Sequence, residues 1–294
     1  MKKILITGAG SYIGTKVEEW LKRTPELFEV DAVDTMHDHW KKADFSQYDV
    51  VYNVAGIAHV KASKGDEPLY YAVNRDMVIE IAKAAKAAGV KQFIHMSSMI
   101  VYKEVKTLAG KQIHKDTIPE PNGFYGDSKL QGESGIRALA DDSFKVCIMR
   151  PPMIYGPGCK GNFPKLMWLA QKTPVFPAWH NRRSMLYIDN LCEFVKQLIL
   201  HEVDGTVYPQ NAEYSDTVEI VRHFAKTNGK RIWITRLLNP AIWLFGNHVR
   251  ALGKMFSDST YDMEMSQYPF EYQIVSFEES LKRIVNKIQI QTKK

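Results

Sequence analysis

Residues 3–14 read KILITGAGSYIG, an apolar run followed by a turn with three glycines and the start of a helical pattern. The run predicts a β-strand over Lys3–Thr7, and the apolar spacing after it predicts a helix over Tyr12–Arg23. Glycines at such a junction let the backbone approach a pyrophosphate, which the helix N-terminus attracts. An ordinary strand-to-helix turn is the alternative, because the glycine pattern alone is a weak signal.

An acidic residue after the next predicted strand supports the dinucleotide interpretation. Asp34 follows the strand Val30–Val33 and lies 20 residues beyond Gly14. A carboxylate there accepts hydrogen bonds from an adenosine ribose and repels a 2′-phosphate, so the sequence predicts NAD rather than NADP. Asp44 and Phe45 are candidates for the adenine site, and a solvated loop is the equal alternative for Asp44.

The first half of the chain continues to alternate predicted strands with predicted helices. The strands are Asp49–Val54, Gln92–Ser97 and Phe144–Arg150, and the helices are Leu69–Ala88 and Tyr125–Ala140. Strands that are apolar throughout indicate a parallel sheet covered on both faces. We therefore predict an α/β fold: a Rossmann-type doubly wound parallel sheet over residues 1–160, with a smaller, mainly substrate-binding subdomain over residues 161–294. Residues 185–210 are expected to pack back on the first domain.

Composition limits the other classes of function. The 294 residues carry a net charge of +6, and the three cysteines, Cys147, Cys159 and Cys192, form no CxxC pair. That pattern favours a reducing compartment and gives no disulfide framework or zinc site. No apolar run is long enough for a membrane span or a signal peptide, so we expect a cytoplasmic protein. No metal is expected, because His37, Asp38 and His39 do not make a full ligand set, and no nucleic-acid-binding motif accompanies the charge.

A tyrosine and a lysine stand four residues apart in YGDSK, residues 125–129. On a helix, Tyr125 and Lys129 project from one face, and a lysine charge favours the phenolate by lowering the phenol's pKa. Such a pair can take a proton from a sugar hydroxyl while a hydride leaves its carbon. Ser98, at the end of a predicted strand, can bond the same oxygen. A chance surface contact is the alternative, but the order of the motifs favours catalysis.

The motif set resembles the extended short-chain dehydrogenase/reductase family, in its branch of NAD-dependent nucleotide-sugar epimerases and dehydratases, which includes the UDP-glucose 4-epimerases. The resemblance covers about residues 1–200. It is carried by TGAGSYIG (7–14), NVAG (53–56), SSMIVY (97–102), YGDSK (125–129) and RPPMIYGPG (150–158).

The resemblance implies roles for particular residues. The catalytic residues it implies are Ser98, Tyr125 and Lys129. The NAD-binding residues are Gly8, Gly10, Ser11, Tyr12, Ile13, Gly14, Asp34, Asp44, Phe45, Ala55, Gly56, Lys129 and Pro152. Asn162 and Arg183 would bind the diphosphate of the substrate, with a surface salt bridge as the alternative for Arg183. The family often dimerises through the two long helices, so a homodimer is expected.

Two departures from the family pattern matter. Ser11 stands where the family usually has a glycine, so its side chain lies near the expected pyrophosphate and bears on cofactor retention. Met99 and Ile100 stand where the dehydratases have acidic residues, and neither side chain can exchange a proton. This argues against a 4,6-dehydratase.

The leading hypothesis is therefore an NAD-dependent UDP-hexose 4-epimerase in surface polysaccharide or sugar-nucleotide metabolism. One alternative is a 4-ketoreductase of a deoxy-sugar nucleotide that consumes NAD(P)H, since the same three residues serve both reactions. A remoter alternative is a redox-inert NAD-binding sensor or scaffold. On the leading hypothesis, two diphosphates in one cleft account for the positive net charge.

Residues 231–250, RIWITRLLNPAIWLFGNHVR, are apolar and rich in tryptophan. A peripheral contact with a membrane or a partner is one interpretation. Packing within the C-terminal subdomain is the favoured one, because Pro240 and Gly246 interrupt the helical face.

Overall fold

The computed structural model describes residues 1–58, 64–104 and 107–292. The strands are β1 (Lys2–Thr7), β2 (Phe28–Val33), β3 (Val50–Asn53), β4 (Gln92–Met96), β5 (Lys111–Ile113), β6 (Lys145–Met149), β7 (Met153–Tyr155), β8 (Val175–Pro177), β9 (Met185–Tyr187), β10 (Gly205–Val207), β11 (Trp233–Thr235) and β12 (Ser259–Tyr261). The helices are α1 (Tyr12–Leu21), α2 (Glu67–Tyr71), α3 (Val78–Ala87), α4 (Phe124–Arg137), α5 (Phe163–Lys172), α6 (Ile188–Leu200), α7 (Thr217–Thr227), α8 (Asn239–Phe245), α9 (Arg250–Phe256) and α10 (Phe277–Thr292).

Six strands form one parallel sheet in the order β10-β6-β4-β3-β1-β2. Its two faces pack against separate apolar cores: Ile4 and Ile6 of β1 lie in one, and Leu5 lies in the other. Burial on both faces explains why the central strands are apolar at nearly every position. The predicted doubly wound α/β fold is confirmed. The chain passes from β2 back across β1 to β3, which places a topological switch point at the carboxyl ends of β1 and β3.

Helices cover both faces of this sheet. α1 packs against α6, and α4 packs against α2 and α3. The predicted helix at Leu69–Ala88 is broken in its middle, because a π-helical turn over Ala72–Met77 joins α2 to α3. The π-helical turn packs against α4, the helix that carries Tyr125 and Lys129.

The C-terminal part contributes three small parallel pairings, β7 with β9, β8 with β11, and β5 with β12. The sequence did not predict these short strands, since each has three residues and pairs with a distant segment. β10 and α6 join the main sheet and its helical layer, while β8, β11, α8 and α9 build the region beside it. In the described residues, no helix is both long and apolar enough to cross a membrane.

Candidate active site

The parallel strands bring most of the predicted site residues to one edge of the sheet. The glycine turn follows β1, Asp34 follows β2, Ala55 and Gly56 follow β3, and Ser98 follows β4. Carboxyl ends of neighbouring parallel strands share an edge, which is where open α/β sheets bind ligands. Pro152 lies at the same edge, buried just after β6.

The glycine turn is joined to the end of β2 by two backbone bonds. The amides of Gly8 and Ala9 donate to the Val33 carbonyl over 2.9 and 3.0 Å. Gly8 has φ +103°, and a β-carbon there would lie 3.0 Å from the Ala55 nitrogen. Gly10 has φ +75°, with no heavy atom within 4 Å of an added β-carbon. Glycine at position 10 is thus required by backbone conformation, and the turn presents open backbone where a phosphate would lie.

Ser11 has a structural task that the sequence did not reveal. It is the N-cap of α1, and its Oγ accepts a hydrogen bond from the Gly14 amide over 3.1 Å. A β-carbon on Gly14 would approach that Oγ to 2.7 Å, so the two residues fit each other. The amides of Tyr12 and Ile13, at the first turn of the helix, have no intrahelical acceptors and can serve a phosphate. The Tyr12 ring itself packs beside Gly156 and Gly158.

Asp34 and Asp44 differ in setting. Asp34 directly follows β2, and its Oδ1 accepts from the Met36 amide over 2.9 Å. Asp44 is exposed, and its carboxylate caps the short turn after it, with bonds to Ser46 and Gln47 that lower its pKa. Phe45 is buried in the core. These contacts suit a structural turn, and an adenine-site role for Asp44 and Phe45 stays a prediction.

Ser98 and Tyr125, on different elements, lie near each other. The Ser98 hydroxyl lies close enough to the Tyr125 phenol to lower its pKa, and the Ser98 Oγ accepts from the Ile100 amide over 3.2 Å. Burial, reinforced by the phenol of Tyr70, raises the pKa of Tyr125 to about 12, against a smaller lowering by the Ser98 hydroxyl. The spacing of Tyr125 and Lys129 predicts a lowered pKa for the phenol, whereas in this structure burial raises that pKa.

The Lys129 side chain is buried. It is 5% exposed, and its Nζ donates to the Met96 carbonyl over 3.0 Å. Burial lowers the pKa of Lys129 to about 8, and the charge of Glu133 opposes that lowering. A β-carbon on Gly56 would come within 2.9 Å of this Nζ and 3.0 Å of Asn74 Oδ1. Gly56 thus leaves the room in which the lysine lies.

Arg150 and Glu133 were not identified from the sequence, and they lie next to these residues in the protein interior. Arg150 and Glu133 form a buried ion pair, and Ser97 Oγ donates to the same carboxylate. Arg150 also donates to the Tyr102 hydroxyl over 2.9 Å. The spacing of Glu133, four residues after Lys129 on α4, was the available signal, since it puts a carboxylate on the same helix face.

The two predicted substrate residues lie in different environments. Asn162 is exposed at the start of α5, where its Oδ1 accepts from Lys165 Nζ over 3.2 Å. Arg183 is more enclosed, and its Nη1 donates to the Lys254 carbonyl over 2.7 Å. Burial lowers the pKa of Arg183, while Asp258 and Glu104 raise it.

A second cation near Arg183 was not anticipated. Lys111 on β5 donates to the Lys103 carbonyl over 2.9 Å, and burial lowers its pKa to about 8. The charge of Glu104 opposes that lowering, and the smaller effect of the Arg183 charge adds to it. Lys111 and Arg183 are therefore two partly desolvated cations within electrostatic range of each other, and Glu104 acts on the pKa of both.

These observations fit a bound dinucleotide. The open backbone at Gly10, the uncapped amides of Tyr12 and Ile13, and the carboxylate of Asp34 have the chemistry for its pyrophosphate and ribose. The Lys129 Nζ lies at the next strand end, where it can bond a second ribose.

Comparisons with known proteins agree with this geometry. The model of the NAD dependent epimerase/dehydratase family matches residues 4–209. A UDP-glucose 4-epimerase of Vibrio cholerae is 32% identical over 283 residues, covering 88% of this chain and 83% of the relative. A GDP-6-deoxy-D-mannose reductase of Pseudomonas aeruginosa is 26% identical over 173 residues, 55% of each chain.

Among solved structures, the UDP-glucuronic acid 4-epimerase of Bacillus cereus in complex with NAD has the same fold. It superimposes with a TM-score of 0.77 at 20% identity, covering 98% of this chain and 99% of that one.

Proposed function

The chain belongs to the NAD-dependent epimerase/dehydratase family, and from this premise we propose that it is a nucleotide-sugar 4-epimerase acting on a UDP-hexose. NAD is the cofactor of the family, which confirms the cofactor predicted from the sequence. The observation that carries the proposal is the position of Ser98, which follows β4 and lies beside the Tyr125 phenol, with Lys129 one turn further along the same face of α4.

In this proposal, Tyr125 removes the proton from the C4 hydroxyl of the sugar and later returns it. Ser98, beside the phenol, orients the substrate oxygen. Lys129 holds the nicotinamide ribose. When bound, NAD supplies the hydride acceptor at C4. Arg183 binds the diphosphate, for which a guanidinium can donate two hydrogen bonds at once.

Met99 and Ile100, next to Ser98, bear on the reaction class. Neither side chain can donate or accept a proton, so the acid and base needed to remove water from the sugar are not supplied there. This supports an epimerase over a 4,6-dehydratase. A homodimer through α3 and α4 stays a prediction, which light scattering of the purified protein tests.

The test is incubation with UDP-glucose, UDP-galactose and their N-acetyl forms without added reductant. Interconversion of one pair is the expected result, and its absence for every pair would contradict the proposal. Mass spectrometry of the denatured protein should also show retained NAD.

The second candidate is a 4-ketoreductase, favoured by the similarity to the GDP-6-deoxy-D-mannose reductase. Its chemistry uses the same Ser98, Tyr125 and Lys129, but consumes one reduced nicotinamide in each turnover. Stoichiometric NADH oxidation with a 4-keto-6-deoxy nucleotide sugar would decide for it.

A further inference from the structure

Exposed apolar side chains are concentrated in one short segment. Seven of the 15 large hydrophobic residues that are exposed in the described part of the chain lie within residues 233–249, which we call the apolar tip. The most exposed are Leu237 at 76%, Trp243 at 71%, Trp233 at 61%, Leu244 at 55% and Phe245 at 50%. Scattered surface hydrophobics are ordinary, but such a concentration in one short segment is typical of a contact surface. The favoured interpretation, packing within the subdomain, is therefore wrong for most of this segment; Ile242 is its buried residue on α8.

The tip is held in place at both ends of α8. Asn239 Nδ2 donates to the Ala178 carbonyl over 3.0 Å, and the Leu108 amide donates to Asn247 Oδ1 over 2.9 Å. Gly246 packs so closely on the Leu108 side chain that an added β-carbon would lie 2.6 Å from it. The apolar side chains are thus presented on a fixed support.

The charge around the tip has one sign. Between Glu219 and Asp258 the chain has seven Lys and Arg and no Asp or Glu. The rest of the chain has 32 basic against 33 acidic residues, so this segment accounts for the whole positive excess. Arg231 and Arg236, adjacent to the apolar residues, are exposed, while Lys254 pairs with Glu104 outside the segment. Diphosphate binding in the cleft does not explain cations exposed here.

We propose that the apolar tip docks this protein on the surface of an anionic lipid bilayer. Tryptophan prefers the boundary between head groups and acyl chains, and arginines beside it are attracted to anionic head groups. A second copy of the chain is a poorer occupant. A two-fold interface brings the same patch of both subunits together and would oppose their unbalanced cations.

The apolar tip lies near the proposed binding site of the sugar diphosphate. Leu108, which the tip contacts, lies in the connection between the Ser98 segment and β5, and Arg183 bonds the end of α9. The tip therefore adjoins the side of the molecule on which we place the sugar diphosphate. A docked protein would hold that side near the membrane surface.

The test measures sedimentation of the full-length protein with vesicles of phosphatidylglycerol and phosphatidylcholine in equal parts, and with phosphatidylcholine alone. We expect binding to the anionic vesicles that weakens on the order of tenfold in 0.5 M salt. The double variant Trp243→Ser, Phe245→Ser should reduce the partition coefficient on the order of tenfold or more. Arg231→Glu with Arg236→Glu should reduce binding to the anionic vesicles selectively.

Ile118→Ser is the matched control, because Ile118 is 74% exposed but lies outside the tip, and its binding should equal that of the wild type. All these substitutions are at exposed positions, and circular dichroism checks that the fold is kept. Turnover of a soluble nucleotide sugar without vesicles should be unchanged in the tip variants, which separates this proposal from the proposed function. Failure of the wild type to bind anionic vesicles, or undiminished binding by the tip variants, would overturn it. A tip variant that shifts the mass in light scattering without losing vesicle binding would assign the tip to a second copy instead.

Discussion

Arg150 and Glu133 form an almost fully buried ion pair. The Arg150 Nη2 lies 2.5 Å from one carboxylate oxygen, and the Nε lies 3.1 Å from both. The two side chains are 7% and 1% exposed. The pair connects the end of β6 to α4, and through Ser97 and Tyr102 it reaches both ends of the segment that carries Ser98. It therefore supports the segment of Ser98 and the helix of Tyr125 and Lys129 from inside the protein.

Glu133→Gln should destabilise the protein by about 3–5 kcal/mol, because the substitution leaves the Arg150 charge buried and unpaired. The measurement is the free energy of unfolding from denaturant titration. Asp76→Asn is the control, since it breaks an ion pair with Arg75 at the surface and should leave the unfolding midpoint unchanged. Equal midpoints for the Glu133 variant and the wild type would contradict the structural role of the pair.

Lys129 should make stability depend on pH. Burial lowers its pKa to about 8 in the folded protein, below the usual value near 10.5 of an unfolded chain. Between those values the unfolded state binds the additional proton, so the wild type gains stability as pH rises. Relative to Lys129→Met, its free energy of unfolding should increase by about 2 kcal/mol between pH 7.5 and 10. A difference that does not change with pH would contradict the lowered pKa.

The main sheet could be predicted because its information is local. The glycine turn, the apolar strands and the helical spacing from Tyr12 are each recognisable within a few consecutive residues. Burial on both faces of the sheet makes its strands apolar throughout, so they are easy to identify. The small sheets could not be predicted, since β5 and β12 pair across nearly 150 residues and each has only three. The π-helical turn in the second helix also follows from tertiary packing against α4.

The candidate site divides in the same way. Ser98, Tyr125 and Lys129 stand in recognisable motifs, but Glu133 and Arg150 acquire meaning only when β6 and α4 are side by side. The apolar tip was misinterpreted for a related reason. An apolar sequence predicts that its residues are buried against something. It does not indicate whether they are buried in the protein's own core or against another surface.

Ser11→Ala should destabilise the protein by about 1 kcal/mol, because it removes the hydrogen bond that caps α1. NAD retention should stay close to that of the wild type, since the Ser11 hydroxyl is bonded to the Gly14 amide. Thermal unfolding and the amount of NAD released on denaturation measure the two effects. Loss of NAD without loss of stability would show that the hydroxyl binds the cofactor instead.

Tyr125→Phe should lower turnover on the order of 10²–10⁴-fold, the range expected when a general acid–base group is removed. The fold and the retained NAD should be kept, because the ring that packs on Tyr70 remains. Tyr71→Phe is the control: it removes a phenol that bonds Asp127 over 2.5 Å outside the site, and its turnover should be unaffected. Full activity in the Tyr125 variant would favour the redox-inert alternative.

Arg183→Ala tests the substrate side of the cleft and should raise the KM for the nucleotide sugar. Hydrogen bonds to charged groups contribute about 1.5–3 kcal/mol, which corresponds to an increase on the order of ten- to a hundredfold. The effect should fall mainly on KM, because in the proposed function Arg183 binds the diphosphate equally in the ground and the transition state. Arg182 provides the matched control, since its side chain is 62% exposed and faces Asp258 at 3.5 Å. Arg182→Ala should leave KM unchanged, whereas an equal rise in both variants would mean that the region responds to lost positive charge rather than to a specific contact by Arg183.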